Sequence, residues 1–99
     1  MTDEKITVLA KIKAKDGLAG TVKQQAMALV APTRSEAGCI SYDLHQSTED
    51  ENLFMFYENW TSKKALDEHI QTPHLQAFIA KADELLDGPL DVTIWNKIS

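Results

Sequence analysis

Cysteine is almost missing from this chain. A single residue of that type, Cys39, occurs among its 99 residues, so no disulfide can form within it and the stapled architecture of small secreted scaffolds is excluded. The lone thiol also lacks the partners that a zinc or iron–sulfur site would need and reads as a small buried strand residue. Basic charge is scarce as well: ten Lys and Arg stand against fifteen Asp and Glu, for a net charge of −5. The basic residues are scattered, so there is no footprint for a phosphate backbone and nucleic acid is not an expected partner. No apolar run approaches the roughly 20 residues of a membrane-spanning helix. The start, Met1 to Lys5, is acidic where an export signal is basic, and no apolar core follows, which leads us to expect a cytoplasmic protein. Glycine numbers four, and Asp16-Gly17-Leu18-Ala19-Gly20 has neither the dinucleotide spacing nor a following Walker lysine, so nucleotide and flavin cofactors are disfavoured.

What the chain does have is an ordinary globular composition, 43% hydrophobic and 25% charged, at a length that fits one domain over residues 1–99. Ile6, Val8, Ala10 and Ile12 alternate with polar residues as a strand with one buried face. Leu18, Val22, Ala26, Leu29 and Val30 then recur at helical spacing, which predicts a helix to about Ala31, ended or kinked by Pro32. Cys39 to Gln46 alternates as a second strand, with Ile40, Tyr42 and Leu44 on one face. The polar run Ser47 to Asn52 is a hairpin loop, and Leu53 to Trp60 is a third strand, apolar on both faces. Thr61 or Ser62 caps a short helix to about Ile70, and Thr72-Pro73 starts another whose apolar stripe runs from Leu75 to Leu86 until Gly88-Pro89 stops it. Leu90, Val92, Ile94 and Ile98 make a fourth strand, with Trp95 on its other side.

This order of elements is that of an α+β, ferredoxin-like split βαβ domain: a four-stranded antiparallel sheet with helices on one face. Helices cover one side only, so the second apolar face of strand three calls for another subunit, and a homodimer is expected.

Chemistry concentrates in Glu58-Asn59-Trp60, followed by His69 and His74. A carboxylate can orient an imidazole and raise its basicity, and imidazole titrates where a phenol proton can be removed. The same residues serve equally well as a structural pair, with His69 packed at a helix end. Metal binding by His69 and His74, helped by Glu58 or His45, is disfavoured, because the Thr72-Pro73 break spoils the one-face geometry of an i, i+4 pair. The aromatic residues Tyr42, Phe54, Phe56, Tyr57, Trp60 and Trp95 are core by default, and a few of them could line a cleft.

The stretch Glu58 to Ser62, then Ala65 to His74, resembles the signature of the antibiotic-biosynthesis-monooxygenase family, especially its quinol-monooxygenase-like branch; Glu36 to Tyr42 is similar to that family's entry into its second strand. The resemblance covers the chain in length and element order. It implies a homodimeric α/β barrel, and a monooxygenase that needs no cofactor and joins a quinol-like or polyphenolic substrate with O2. Carried onto these positions, it implies His69 as general base, Glu58 as its partner, and Tyr42, Trp60, Phe54 and His74 as substrate-binding groups. The family's haem-degrading branch is set aside, since it has Trp at the position of His69 and an iron-binding His near Ile79. Two other readings stand beside the first. Autoinducer-2 phosphate isomerases share the Thr72-Pro73-His74 segment and resemble Gly88-Pro89, and a dimer that binds a small molecule without turnover would look the same in sequence.

Overall fold

The computed structural model describes residues 4–99; the acidic opening Met1 to Asp3 lies outside the described residues. Four strands, β1 (Ile6–Lys13), β2 (Cys39–Gln46), β3 (Leu53–Trp60) and β4 (Asp91–Trp95), form one sheet in the order β2-β3-β1-β4. Every strand pair is antiparallel. This is the ferredoxin-like arrangement, in which β3 is inserted between β1 and β2. Among the described residues five helices accompany the sheet: α1 (Ala19–Met27), α2 (Val30–Arg34), α3 (Lys63–Ile70), α4 (Pro73–Ala80) and α5 (Ala82–Leu85). Among the described residues, no helix is long and apolar enough to cross a membrane.

The period-2 alternation decides which side chains meet the helices. Val8 and Ile12 of β1, Tyr42 of β2, and Phe54, Phe56 and Trp60 of β3 are all buried on that face. Val22, Ala26 and Leu29, Leu66 of α3 and Phe78 of α4 complete the core. At about 25 cal/mol per Å² of apolar surface removed from water, this layer supplies most of the driving force for folding.

Four expectations need correction. The first helix breaks at Ala28 and Leu29 rather than after Ala31, and Pro32 sits within α2. Its missing amide costs nothing there, because a first helical turn has no acceptor for it. In β2 a register irregularity lies between Cys39 and Ser41, so Cys39 pairs with Trp60 and packs against the core while Ile40 is exposed. One extra residue in a strand inverts the alternation on one side of it, which the run of residue types alone does not reveal. The helix predicted to Leu86 is interrupted at Lys81, and Leu86 forms a β-bridge with Ala14. Finally, β4 ends at Trp95, and Ile98 lies beyond it, 97% exposed.

Candidate active site

The site is built where α3, α4 and the turn before β2 converge over the middle of the sheet. Ser62 caps α3 by accepting from the Ala65 amide at 3.1 Å, which fixes the helix start and carries His69 into its buried last turn. Thr72 then does two things: its Oγ1 donates to the His69 carbonyl at 2.7 Å and accepts from the Leu75 amide at 3.4 Å. The break between α3 and α4 is thereby held as a tight corner, and Pro73 at the first position of α4 is suited to it. His74, on the first turn of α4, is brought back beside His69, with ring centroids 6.2 Å apart.

The third member comes from elsewhere in the chain. Glu36 lies in the turn between α2 and β2, closed by the Cys39 amide bonding to the Glu36 carbonyl at 3.0 Å. Arg34 ties that region to β2 through the Tyr42 carbonyl at 3.0 Å and Asp43 at 2.9 Å. Gly38 lets the turn pass hard against α3: a Cβ at this position would collide with the Ala65 Cβ. One oxygen of Glu36, Oε2, thus stands 2.8 Å from His69 Nδ1 and 2.7 Å from His74 Nε2. With Glu36 ionised, both rings must donate to it, so His69 carries its proton on Nδ1 and has an unprotonated Nε2. No protein group among the described residues bonds that nitrogen.

This corrects the expected pairing. Glu58 does not reach His69; its Oε1 accepts from the Trp60 indole at 2.9 Å. Residues two apart in a strand share a face, so Glu58 and Trp60 are natural neighbours, whereas Glu36 meets His69 across 33 positions of sequence. A carboxylate two residues before a Gly that opens a strand was the available signal.

An apolar cavity of about 190 Å³ lies between sheet and helices, with Tyr42, Phe56, Glu58, His69, Leu75 and Phe78 among its walls. Ile70 and Val92, both partly exposed, mark its open side. Tyr42 stacks on Phe56 with centroids 5.0 Å apart and meets the edge of His69. Trp60 is fully buried behind His69, ring to ring at 4.6 Å, and does not line the cavity. Nor do Phe54, which is core further along β3, and His74, which stands on the outer side of Glu36. Of the six residues singled out in sequence, Tyr42, Glu58 and His69 face the cavity.

Burial governs the proton affinities. It pushes the Glu58 carboxyl up to about 7, opposed by the Trp60 indole and reinforced by the charge of Glu36. Burial also lowers His69 below the usual imidazole value against the pull of Glu36, so the ring is neutral at pH 7. The Tyr42 phenol is raised, by burial first and by Glu58 second. The cavity therefore presents a neutral imidazole and a half-protonated carboxyl in otherwise apolar surroundings, a combination suited to moving protons.

Comparison with known proteins agrees with this architecture. The chain is 39% identical over 87 residues to "Putative monooxygenase YcnE" of Bacillus subtilis, covering 88% of this chain and 92% of that one. It is 36% identical over 93 residues to the Synechocystis protein sll1783, spanning 94% of this chain but only 63% of that relative's length. The crystal structure of PA3566 from Pseudomonas aeruginosa superposes with a TM-score of 0.93 at 34% identity, over 100% of this chain and 99% of that one. Residues 5–81 match the family model for antibiotic biosynthesis monooxygenase, and the chain belongs to that family.

Proposed function

We propose that the protein is a cofactor-independent monooxygenase that oxidises a single-ring quinol or related phenol with O2. The observation that carries this reading is His69 on the wall of an apolar cavity, held by Glu36 through Nδ1, an arrangement that leaves Nε2 unprotonated while the ring is neutral. That nitrogen can take the phenolic proton as the substrate sits against Tyr42 and Phe56. The phenolate is the electron-rich form that passes an electron to O2, and recombination of the resulting radicals forms the new C–O bond. For a simple quinol the stoichiometry is one quinol plus one O2 giving one hydroxyquinone plus one water. One oxygen atom enters the ring and the other leaves as water, while the quinol gives up four electrons in all. Glu58, poised near neutrality, can return a proton to the departing oxygen.

Size supports a small substrate. Cavities of roughly 150 Å³ accept benzene, so about 190 Å³ suits one substituted ring. A phosphorylated ketone is less well served, because no Lys or Arg is among the cavity walls to offset a phosphate charge. We further propose a homodimer formed through the uncovered sheet face, where Tyr57 and Trp95 are exposed.

Oxygen uptake with a panel of single-ring quinols, run in ¹⁸O₂, tests the reading. One labelled oxygen atom in the product is expected. A mass-neutral conversion of a phosphorylated ketose would replace it with isomerisation, and saturable quinol binding without oxygen uptake would leave a binding protein.

A further inference from the structure

We propose that Glu36, His69 and His74 form a reversible binding site for a divalent transition metal ion of the Zn²⁺ type, and that the ion switches the proton of His69 from Nδ1 to Nε2. The sequence argued against coordination because a helix break separates the two histidines. Thr72 turns that break into the corner that brings them together: Glu36 Oε2, His69 Nδ1 and His74 Nε2 all lie within 4.8 Å of one another. Two imidazole nitrogens and one carboxylate oxygen are a donor set for Zn²⁺ and its transition-metal neighbours, and a poor one for Mg²⁺ or Ca²⁺, which take oxygen ligands.

The spacing is close to what an ion needs. Bonds of about 2.0 to 2.2 Å at tetrahedral angles put donor atoms about 3.3 Å apart, against 2.8 and 2.7 Å in the hydrogen-bonded cluster. An ion therefore needs an opening of about half an ångström at Glu36 and an approach of the two nitrogens, which lie up to 4.8 Å apart, a movement that one ring must make. His74 can supply it, because its side chain is 24% exposed while that of His69 is 4% exposed. Glu36 and His74 are also the open side of the cluster, which gives an ion a route from solvent. A fourth position is left for water.

The consequence for His69 follows from proton balance. Both hydrogen-bonded protons now pointing at Glu36 occupy the places where the ion must bind. Neutral imidazole carries one proton, so coordination at Nδ1 moves it to Nε2, and none is lost overall. His69 then offers the cavity a donor in place of an acceptor. Metal binding stands independently of the proposed oxidation; only the consequence that His69, with its proton on Nε2, no longer accepts the substrate proton rests on that reading.

The test is a titration of the metal-free full-length protein with Zn²⁺ in a non-coordinating buffer, followed by calorimetry and by the ¹⁵N shifts of the histidine rings. One ion per chain is expected, with His69 passing from the Nδ1–H to the Nε2–H pattern. Glu36→Gln and His74→Ala should each weaken binding at least tenfold, and His45→Ala, on the exposed end of β2, should leave it unchanged. Circular dichroism checks that each variant is folded, and either of the first two suffices. Absence of saturable binding, binding by Glu36→Gln and His74→Ala as tight as that of the parent, or an unmoved His69 tautomer would overturn the proposal. Oxygen uptake by the metal-free protein is a separate measurement: its absence defeats the oxidation reading and leaves the ion titration to stand or fall alone.

Discussion

At the residue scale, the proposed chemistry turns on two buried titratable groups with different neighbours. His69 lines the cavity with its Nδ1 held by a carboxylate, and on the proposed reading its other ring nitrogen accepts the substrate proton. If the proposed oxidation is the activity, His69→Ala should lower quinol turnover by about 10²- to 10⁴-fold, the usual loss for a general base, with steady-state oxygen uptake as the measurement. Glu58 has burial and an indole N–H but no cation, and its ionisation is disfavoured in the fold. Because its affinity for a proton rises from about 4.5 to about 7, its stabilising effect is full below pH 4.5 and is lost as pH rises through 7. Glu58→Gln keeps an acceptor for Trp60 and removes the charge. Its melting temperature should exceed that of the parent above pH 7, by an amount equivalent to about 3 kcal/mol at most, and the difference should vanish toward pH 4.5. On the proposed reading activity should fall in the same variant, since the group that costs stability is the one that returns the proton.

At the element scale, the site depends on two short connections more than on the long elements. Thr72 joins the end of α3 to the start of α4, and the Glu36–Cys39 turn closes against α3 through Gly38. Gly38→Ala should be destabilising by about 1 to 3 kcal/mol, as for other overpacked positions, read as a lower urea midpoint at unchanged slope. The added methyl group pushes Ala65, and with it α3, away from the turn that carries Glu36. A loss of activity larger than the loss of stability predicts is therefore expected at temperatures where the variant is fully folded. The same turn explains why Glu36 escaped notice in sequence: it precedes β2 as a loop residue, and neither a strand nor a helix period assigns it to a face.

At the scale of the whole molecule, the sheet leaves one side without helices. Asn59 links Thr7 and Ser41 there in a polar ladder, at 2.7 and 2.9 Å, beside the apolar residues Leu9, Met55, Tyr57 and Trp95. A mixed face of this kind fits a specific subunit interface better than a featureless apolar one. Sedimentation should give about twice the chain mass, and Trp95→Glu should shift the equilibrium to monomer by placing a charge in the contact. A parent protein that sediments as a monomer at micromolar concentration would defeat the assembly.

The amino-acid sequence alone determined the class of fold, all four strands and the starts of both capped helices, because alternation, caps and proline positions act within a few residues of themselves. It also singled out His69, Glu58 and Tyr42, which face one cavity. Only the tertiary structure decided which carboxylate serves His69, that Ile40 is turned out of the core, and that Trp60 backs the imidazole instead of lining the cavity. It also decided that His74 converges with His69 and Glu36. Each of those outcomes depends on where a turn, a bulge or a helix corner delivers a side chain in space. Such placements follow from packing between elements 30 or more residues apart, and no local period in the sequence encodes them.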